Sequence, residues 1–245
     1  MQLEELCHFC NDYLNIDDFS DYCPNGLQVE GRTHVTRIVS GVTASLELIE
    51  AAVELDADVI LVHHGYFWKG ESQPLVGYKG NRIRQLMQNE ISLLAYHLPL
   101  DAHPVVGNNA QLAERMGWLV TGQQGLIWTG EVSEACSVNQ VLDEVGDKID
   151  SNPLLISGGD HPVRQLAWCT GAAQSSIEQA ATMGVDLFIS GEISENTVHF
   201  AREAGIHYIA AGHHATERYG VQALGGLLAQ RFGLFHEFIE IENPA

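Results

Sequence analysis

Basic residues are scarce in this sequence. Twelve Lys and Arg stand against 32 Asp and Glu, a formal charge of −20 over 245 residues. Proteins that coat nucleic acids use Lys and Arg to displace counterions from phosphates, so binding of a DNA or RNA polymer is excluded. A small nucleotide can still enter a locally cationic, metal-lined pocket, and much of the acidity reads as a solubility device. Cysteine is sparse and odd in number, at positions 7, 10, 23, 136 and 169, which argues against a disulfide framework in a chain this long. Cys7-x-x-Cys10 has zinc-like spacing but no second pair. It falls in Leu3 to Leu14, an amphipathic helical pattern in which i,i+3 residues share a face, so packing is the preferred reading. Long apolar runs are missing: Val59–Val62 and Leu93–Ala95 are far short of the ~20 residues of a membrane span. Met1 to Cys10 is acidic and lacks the basic-then-apolar order of a signal peptide, so a cytoplasmic location is expected. No P-loop or dinucleotide fingerprint appears, and Gly158-Gly159 is too little to count as either.

With 45% apolar and 18% charged residues, the composition is that of a globular protein with a substantial core. The organisation is repetitive. Ile38–Ala44 reads as a strand ending in a turn. A helix follows with Leu46, Ile49, Ala52 and Val53 at helical spacing, and Asp58–His64 returns as a strand. Ala167–Gly171, a helix opened by the capping box Ser175-x-x-Glu178, and Gly184–Glu192 repeat the plan. Ile91–His97 and Ile206–His213 extend both copies by one more strand ending in a histidine-bearing turn. Short apolar runs alternating with helices indicate α/β architecture with strands buried on both faces. The expectation is two similar α/β domains related by pseudo-symmetry. Residues 1–122 form the first, completed by a C-terminal segment, and 123–245 the second, with an irregular insert at 123–163. Within that insert Leu126–Val132 and Leu154–Ile156 are strand-like and Ser137-x-x-Gln140 is a capping box. Phe235–Ile241 alternates apolar and polar residues like a half-exposed edge strand.

In open α/β sheets ligands gather at the carboxyl ends of strands. Three such ends carry His63 and His64; His97 and Asp101; and His213, His214 and Glu217. Imidazole and carboxylate suit borderline divalent ions such as iron, zinc, manganese or nickel. Adjacent histidines past a strand can serve different ions, and a carboxylate can bridge two. Glu217 follows Thr216, a candidate N-cap, where a helix dipole favours negative charge. Without a thiolate in the set, an open, reactive site is favoured over a closed structural one. A single histidine at a strand end is more often structural, but His-His and His-x-x-x-Glu in matching places of two repeats are hard to obtain by chance.

Asn25-Gly26-Leu27-Gln28, Val62-His63-His64-Gly65, His97-Leu98-Pro99-Leu100-Asp101 and Gly212-His213-His214-Ala215-Thr216-Glu217 together resemble the NIF-three-like family, also labelled GTP cyclohydrolase I type 2 homologues, in its compact bacterial branch. The resemblance covers essentially the whole chain. It implies two α/β domains with a dinuclear metal centre in the cleft between them, and a toroidal homohexamer built as a trimer of dimers. It implies His63, His64, Asp101, His213 and Glu217 as ligands of two divalent ions, Glu217 bridging, with His97 beside them.

Two adjacent ions suit hydrolysis, of a nucleotide, a phosphoester or, as the family label suggests, the purine ring of GTP. His97 is the candidate acid–base residue, or else a residue that orients a ligand. Tyr66, Trp68 and Lys69 are candidates for a small-molecule substrate, the rings for stacking and the cation for a phosphate; a subunit contact fits them equally. The rival reading is a non-catalytic metal-binding or scaffold ring.

Overall fold

The computed structural model describes every residue from Met1 to Ala245. It contains nine helices, α1 (Leu3–Leu14), α2 (Leu46–Glu54), α3 (Gly77–Gln88), α4 (Leu98–Ala102), α5 (Asn108–Met116), α6 (Val138–Ile149), α7 (Ile177–Thr182), α8 (Glu195–Ala204) and α9 (His213–Phe232). Its eleven strands are β1 (Gly26–Val29), β2 (Arg37–Thr43), β3 (Val59–His64), β4 (Ser92–Ala95), β5 (Leu119–Gln124), β6 (Ile127–Cys136), β7 (Leu154–Ile156), β8 (Val163–Cys169), β9 (Leu187–Ser190), β10 (His207–Ala210) and β11 (Phe235–Phe238). The fold is mixed α/β with two sheets, ordered β1-β4-β3-β2-β11 and β5-β6-β8-β9-β10-β7.

The repeat seen in the sequence is present in the hydrogen bonding. In each sheet three consecutive strands run parallel (β2, β3, β4 and β8, β9, β10), and a short strand preceding them in the chain pairs antiparallel with the third. Asp58, just before β3, accepts from the N–H groups of Thr36 and Arg37. Asp186, just before β9, accepts from Arg164 and Gln165 in the same way. The sheets differ at their other edges. The first gains β11 parallel to β2, and the second gains the antiparallel β6 and β5. β11 is the edge strand that the alternation of Phe235–Ile241 implied.

The chain divides into two compact units, Met1–Gly107 with Gly220–Glu242, and Asn108–Tyr219 with Asn243–Ala245. Segment 108–122, which the sequence pattern grouped with the first half, supplies α5 and β5, and β5 pairs with β6 of the second sheet. Segment 123–163 is more regular than its sequence suggests, because it holds β6, α6 and β7.

Both units are built on sheets buried on two faces, as continuous apolar strands require. In the first unit, Ile38, Val59, Leu61 and Leu94 pack with α1 and the α9 residues Val221, Leu224 and Leu228. Their strand neighbours Val39, Ile60, Val62 and Leu93 face α2 and α3. In the second unit Leu166, Trp168, Ile189 and Ile209 pack with α5, α6, Ala215 and Tyr219, while Ala167, Phe188 and Tyr208 face α7 and α8. The α6 capping box forms as read, with Ser137 accepting from the Gln140 N–H. The one at Ser175 does not: a 3-10 turn over Gln174–Ser176 leads into α7 without a side-chain cap. All five cysteines are free, with Cys10 buried in α1. No helix is long and apolar enough to cross a membrane.

Candidate metal centre

The first unit gathers a histidine cluster at the ends of β3 and β4. His63 and His64 are the last two residues of β3, still within the sheet rather than past it, as His64 remains registered with Thr43 of β2. Their ring centroids lie 4.6 Å apart. His97 caps α4 one residue after Tyr96, its ring 5.1 Å from that of His63 and 5.8 Å from that of His64. One nitrogen from each of the three imidazoles lies within 4.8 Å of the others. Asp101, buried in α4, places Oδ1 3.5 Å from His63 Nε2.

Which nitrogen each ring offers is set by the partner of the other. His63 Nδ1 donates to the Tyr96 carbonyl at 2.9 Å, and His97 Nδ1 donates to Asp21 Oδ1 at 2.7 Å. A carbonyl and a carboxylate can only accept, so in both rings Nδ1 carries a proton, and in the neutral ring Nε2 keeps its lone pair. His64 Nδ1 is 3.1 Å from Thr43 Oγ1. Asp21 is itself held by Tyr22 N–H (2.6 Å), Leu98 N–H (3.0 Å) and Asn25 Nδ2 (2.8 Å), while Asn25 Oδ1 accepts from His97 N–H at 2.7 Å. Burial works to raise the Asp21 carboxyl, but the hydrogen bonds from His97 and Asn25 and the His97 charge outweigh it and hold it at about 2. The Cys23 thiol is a near neighbour of Asp21 and His97. Burial and the Asp21 charge push it up to about 12.

The second unit repeats the device. His213 is the first residue of α9 and Glu217 lies one turn on, inside the helix. Thr216 therefore does not cap a helix beginning at Glu217. Its hydroxyl donates to the His213 carbonyl at 2.9 Å and accepts from Gly171 N–H at 3.1 Å. His213 Nδ1 donates to Glu192 Oε1 at 2.7 Å, and Nε2 lies 3.0 Å from Glu217 Oε2. Burial alone would lower the His213 imidazole, but Glu217 and Glu192 overcome it and push it up to about 9. Space for this group comes from glycine. Gly171 has φ +69°, and a Cβ there would stand 2.0 Å from Glu217 Oε1. A Cβ on Gly191 would stand 2.7 Å from His213 Cα.

The five expected ligands thus fall into two sets, His63, His64 and Asp101 in one unit and His213 and Glu217 in the other. Their oxygen and imidazole donors fit a borderline divalent ion. Tyr66 does not offer a stacking face: it is buried, and its hydroxyl donates to the Ala44 carbonyl at 2.7 Å. Trp68 lies against the cluster, 5.0 Å from the His97 ring, with Nε1 donating to the Gly65 carbonyl, and the Tyr22 ring lies 6.4 Å from that of His97. Lys69 is exposed, and its N–H donates to the Tyr22 carbonyl. His214 donates its N–H to the Ala245 carbonyl. The Asn25–Gln28 motif acts as a brace. Asn25 ties Asp21 to His97, and Gln28 holds both polar groups of the Tyr66 backbone.

Sequence reasoning missed Asp21 and Glu192. A signal for Glu192 existed. Superposing the Asp58 and Asp186 struts puts Glu192 at the position of His64, so the repeat itself marks it. Asp21 had only its closeness to Asn25.

Comparison with known proteins agrees with this architecture. The family Duf34/NIF3 (NGG1p interacting factor 3) matches residues 1–244. A Pseudomonas aeruginosa protein named GTP cyclohydrolase 1 type 2 homolog is 55% identical over 99% of this chain and 98% of its own. The solved structure of protein ybgI, described as of unknown function, superposes with TM-score 0.98 at 49% identity over all of both chains. A crystal structure of a Thermus thermophilus protein gives TM-score 0.93 at 35% identity, again over all of both chains.

Proposed function

We propose, because the chain belongs to the Duf34/NIF3 family and carries two outfitted ligand sets, that it is a divalent-metal-dependent hydrolase of a small molecule. The substrate class follows the name of its relatives, GTP cyclohydrolase 1 type 2 homolog, and extends to nucleotides and phosphoesters. His63, His64, Asp101, His213 and Glu217 are the ligands of two ions, Glu217 being the carboxylate able to serve both. The observation that carries this reading is the backing of the rings. His63 and His213 each donate Nδ1–H to an oxygen that can only accept, which aims Nε2 at another expected ligand, Asp101 for His63 and Glu217 for His213. A histidine held merely for packing needs no such uniform choice of nitrogen.

Two such ions supply Lewis acidity and a water of lowered pKa. The chain's own residues do the rest. Asp21 and Glu192 fix the tautomers, Gly171 and Gly191 leave room for Glu217 and His213, and Trp68 walls the histidine cluster. A homohexamer in solution belongs to the same reading.

The test is metal analysis of the purified chain followed by turnover of a panel of nucleotides and phosphoesters. Two equivalents of metal and hydrolysis abolished by Glu217→Gln, with unchanged size in solution, are the expected results. Tight metal binding without turnover of any substrate would make the protein a metal-binding scaffold instead.

A further inference from the structure

The pattern of the two repeats bears on His97, which the sequence marks as an acid–base candidate or a residue that orients a ligand. Each repeat ends its third parallel strand in a turn followed by a histidine and, four residues later, a carboxylate: His97 and Asp101 after β4, His213 and Glu217 after β10. The correspondence is structural. Tyr96 N–H donates to the Val62 carbonyl, and Ala211 N–H donates to the Ser190 carbonyl, so the turns start from matching points. From there the second copy is longer by one residue, Gly212, and keeps the same histidine-to-carboxylate spacing. Each histidine sits at the start of its helix with its carboxylate one turn on. Each has Nδ1 bonded at 2.7 Å to a carboxylate from elsewhere in its own unit, Asp21 for His97 and Glu192 for His213.

From this we infer that His97 is a metal ligand through Nε2, with Asp21 as its positioning residue, so that the first unit carries a three-imidazole face of His63, His64 and His97. Three further observations support it. One nitrogen from each of these rings already lies within 4.8 Å of the others, so small side-chain shifts bring all three to about 2.1 Å from a single ion. All three rings have Nδ1 beside an outer partner, Tyr96 O, Thr43 Oγ1 and Asp21. And Asp21 receives three further hydrogen bonds, which fix its oxygen toward His97 and leave the imidazole little freedom to swing as a proton carrier would.

The inference rests on the metal reading above and is tested on the full chain, stripped and reloaded with cobalt(II). The readouts are stoichiometry, affinity and the ligand-field absorption of the bound ion. His97→Gly is expected to weaken the binding of one equivalent by at least a hundredfold and alter its absorption, with free imidazole restoring both. Asp21→Asn keeps the shape of the side chain and is expected to weaken the same equivalent by about 10- to 100-fold, as loss of a ligand's outer partner does. Should His97→Gly fail to fold, Asp21→Asn with circular dichroism as control decides alone. Unchanged cobalt affinity and absorption in both variants, alongside normal loading of the unaltered chain, overturn the ligand role and return His97 to proton transfer. Failure of the unaltered chain to bind any cobalt overturns the metal reading and this inference together.

Discussion

Asp21 and Glu192 show how much of the site is made by residues outside the expected ligand set. Each turns a histidine so that one particular nitrogen faces inward, and each comes from a loop of ordinary composition. Burial acts in the same selective way on the cysteines. It pushes the Cys10 and Cys23 thiols up to about 12 and the half-buried Cys7 to about 11, while Cys136, also half-buried, is raised less. The thiolate is the nucleophile, so alkylation of the folded protein at pH 8 should label Cys136 first, Cys7 next, and Cys10 and Cys23 only on unfolding. Peptide mass spectrometry over time reads the order, and early labelling of Cys23 would contradict the buried environment beside His97. The candidate ligands stood out in the sequence, because His-His and His-x-x-x-Glu are dense local signals. The orienting carboxylates were not: Asp21 and His97 are far apart in the chain, and only folding makes them neighbours. Tyr66 was misread for the same reason, since its ring looks available until the Ala44 carbonyl claims its hydroxyl.

Among the elements, the parallel strands were readable because each is a continuous apolar run, and their pairing follows from the repeat. The struts that set their register were hidden. Asp58 Oδ2 collects the Thr36 and Arg37 N–H groups and the Thr36 hydroxyl, and Oδ1 meets Arg32 at 3.1 Å. Burial opposes the charge, but these bonds win and hold the carboxyl below its ordinary value. A carboxyl depressed by folding stabilises the protein above its unfolded pKa of about 3.9, and that contribution is lost as pH falls toward the lower folded value. Asp58→Asn keeps the shape but removes the charge opposite Arg32, which retains Asp56 and the Asn89 carbonyl, and loses acceptor strength. It should lower unfolding free energy by about 2 kcal/mol at pH 7, the scale of hydrogen bonds to a charged group. Because the variant lacks the titrating group, its deficit against the parent should shrink below pH 4. Urea unfolding at pH 7 and at pH 3 checks both parts, and an equal deficit at the two pH values would show that the charge is not what matters. The failed capping box at Ser175 has a local cause: the chain tightens into a 3-10 turn at Gln174–Ser176 before α7 starts, and spacing alone cannot distinguish the two.

For the molecule as a whole, the division of ligands has a thermodynamic consequence. Neither unit contains all five ligands, and α9 passes from one to the other, its first turns counted with the second unit and Gly220 onward with the first. On the proposal that these five hold two ions, metal binds only when both units are folded, so loading should stabilise both at once. A ligand that binds the native state alone contributes about 4 kcal/mol at a thousandfold excess over its dissociation constant. In a chain of this size that corresponds to about 10 °C in the thermal midpoint. Scanning calorimetry of the loaded protein should then give a single transition that moves with free-metal concentration. Chelation should lower it by about that amount and separate the two units into distinguishable steps. A chelated protein that melts at the same temperature in one step would mean that the native state gains nothing from metal, and would overturn the proposal.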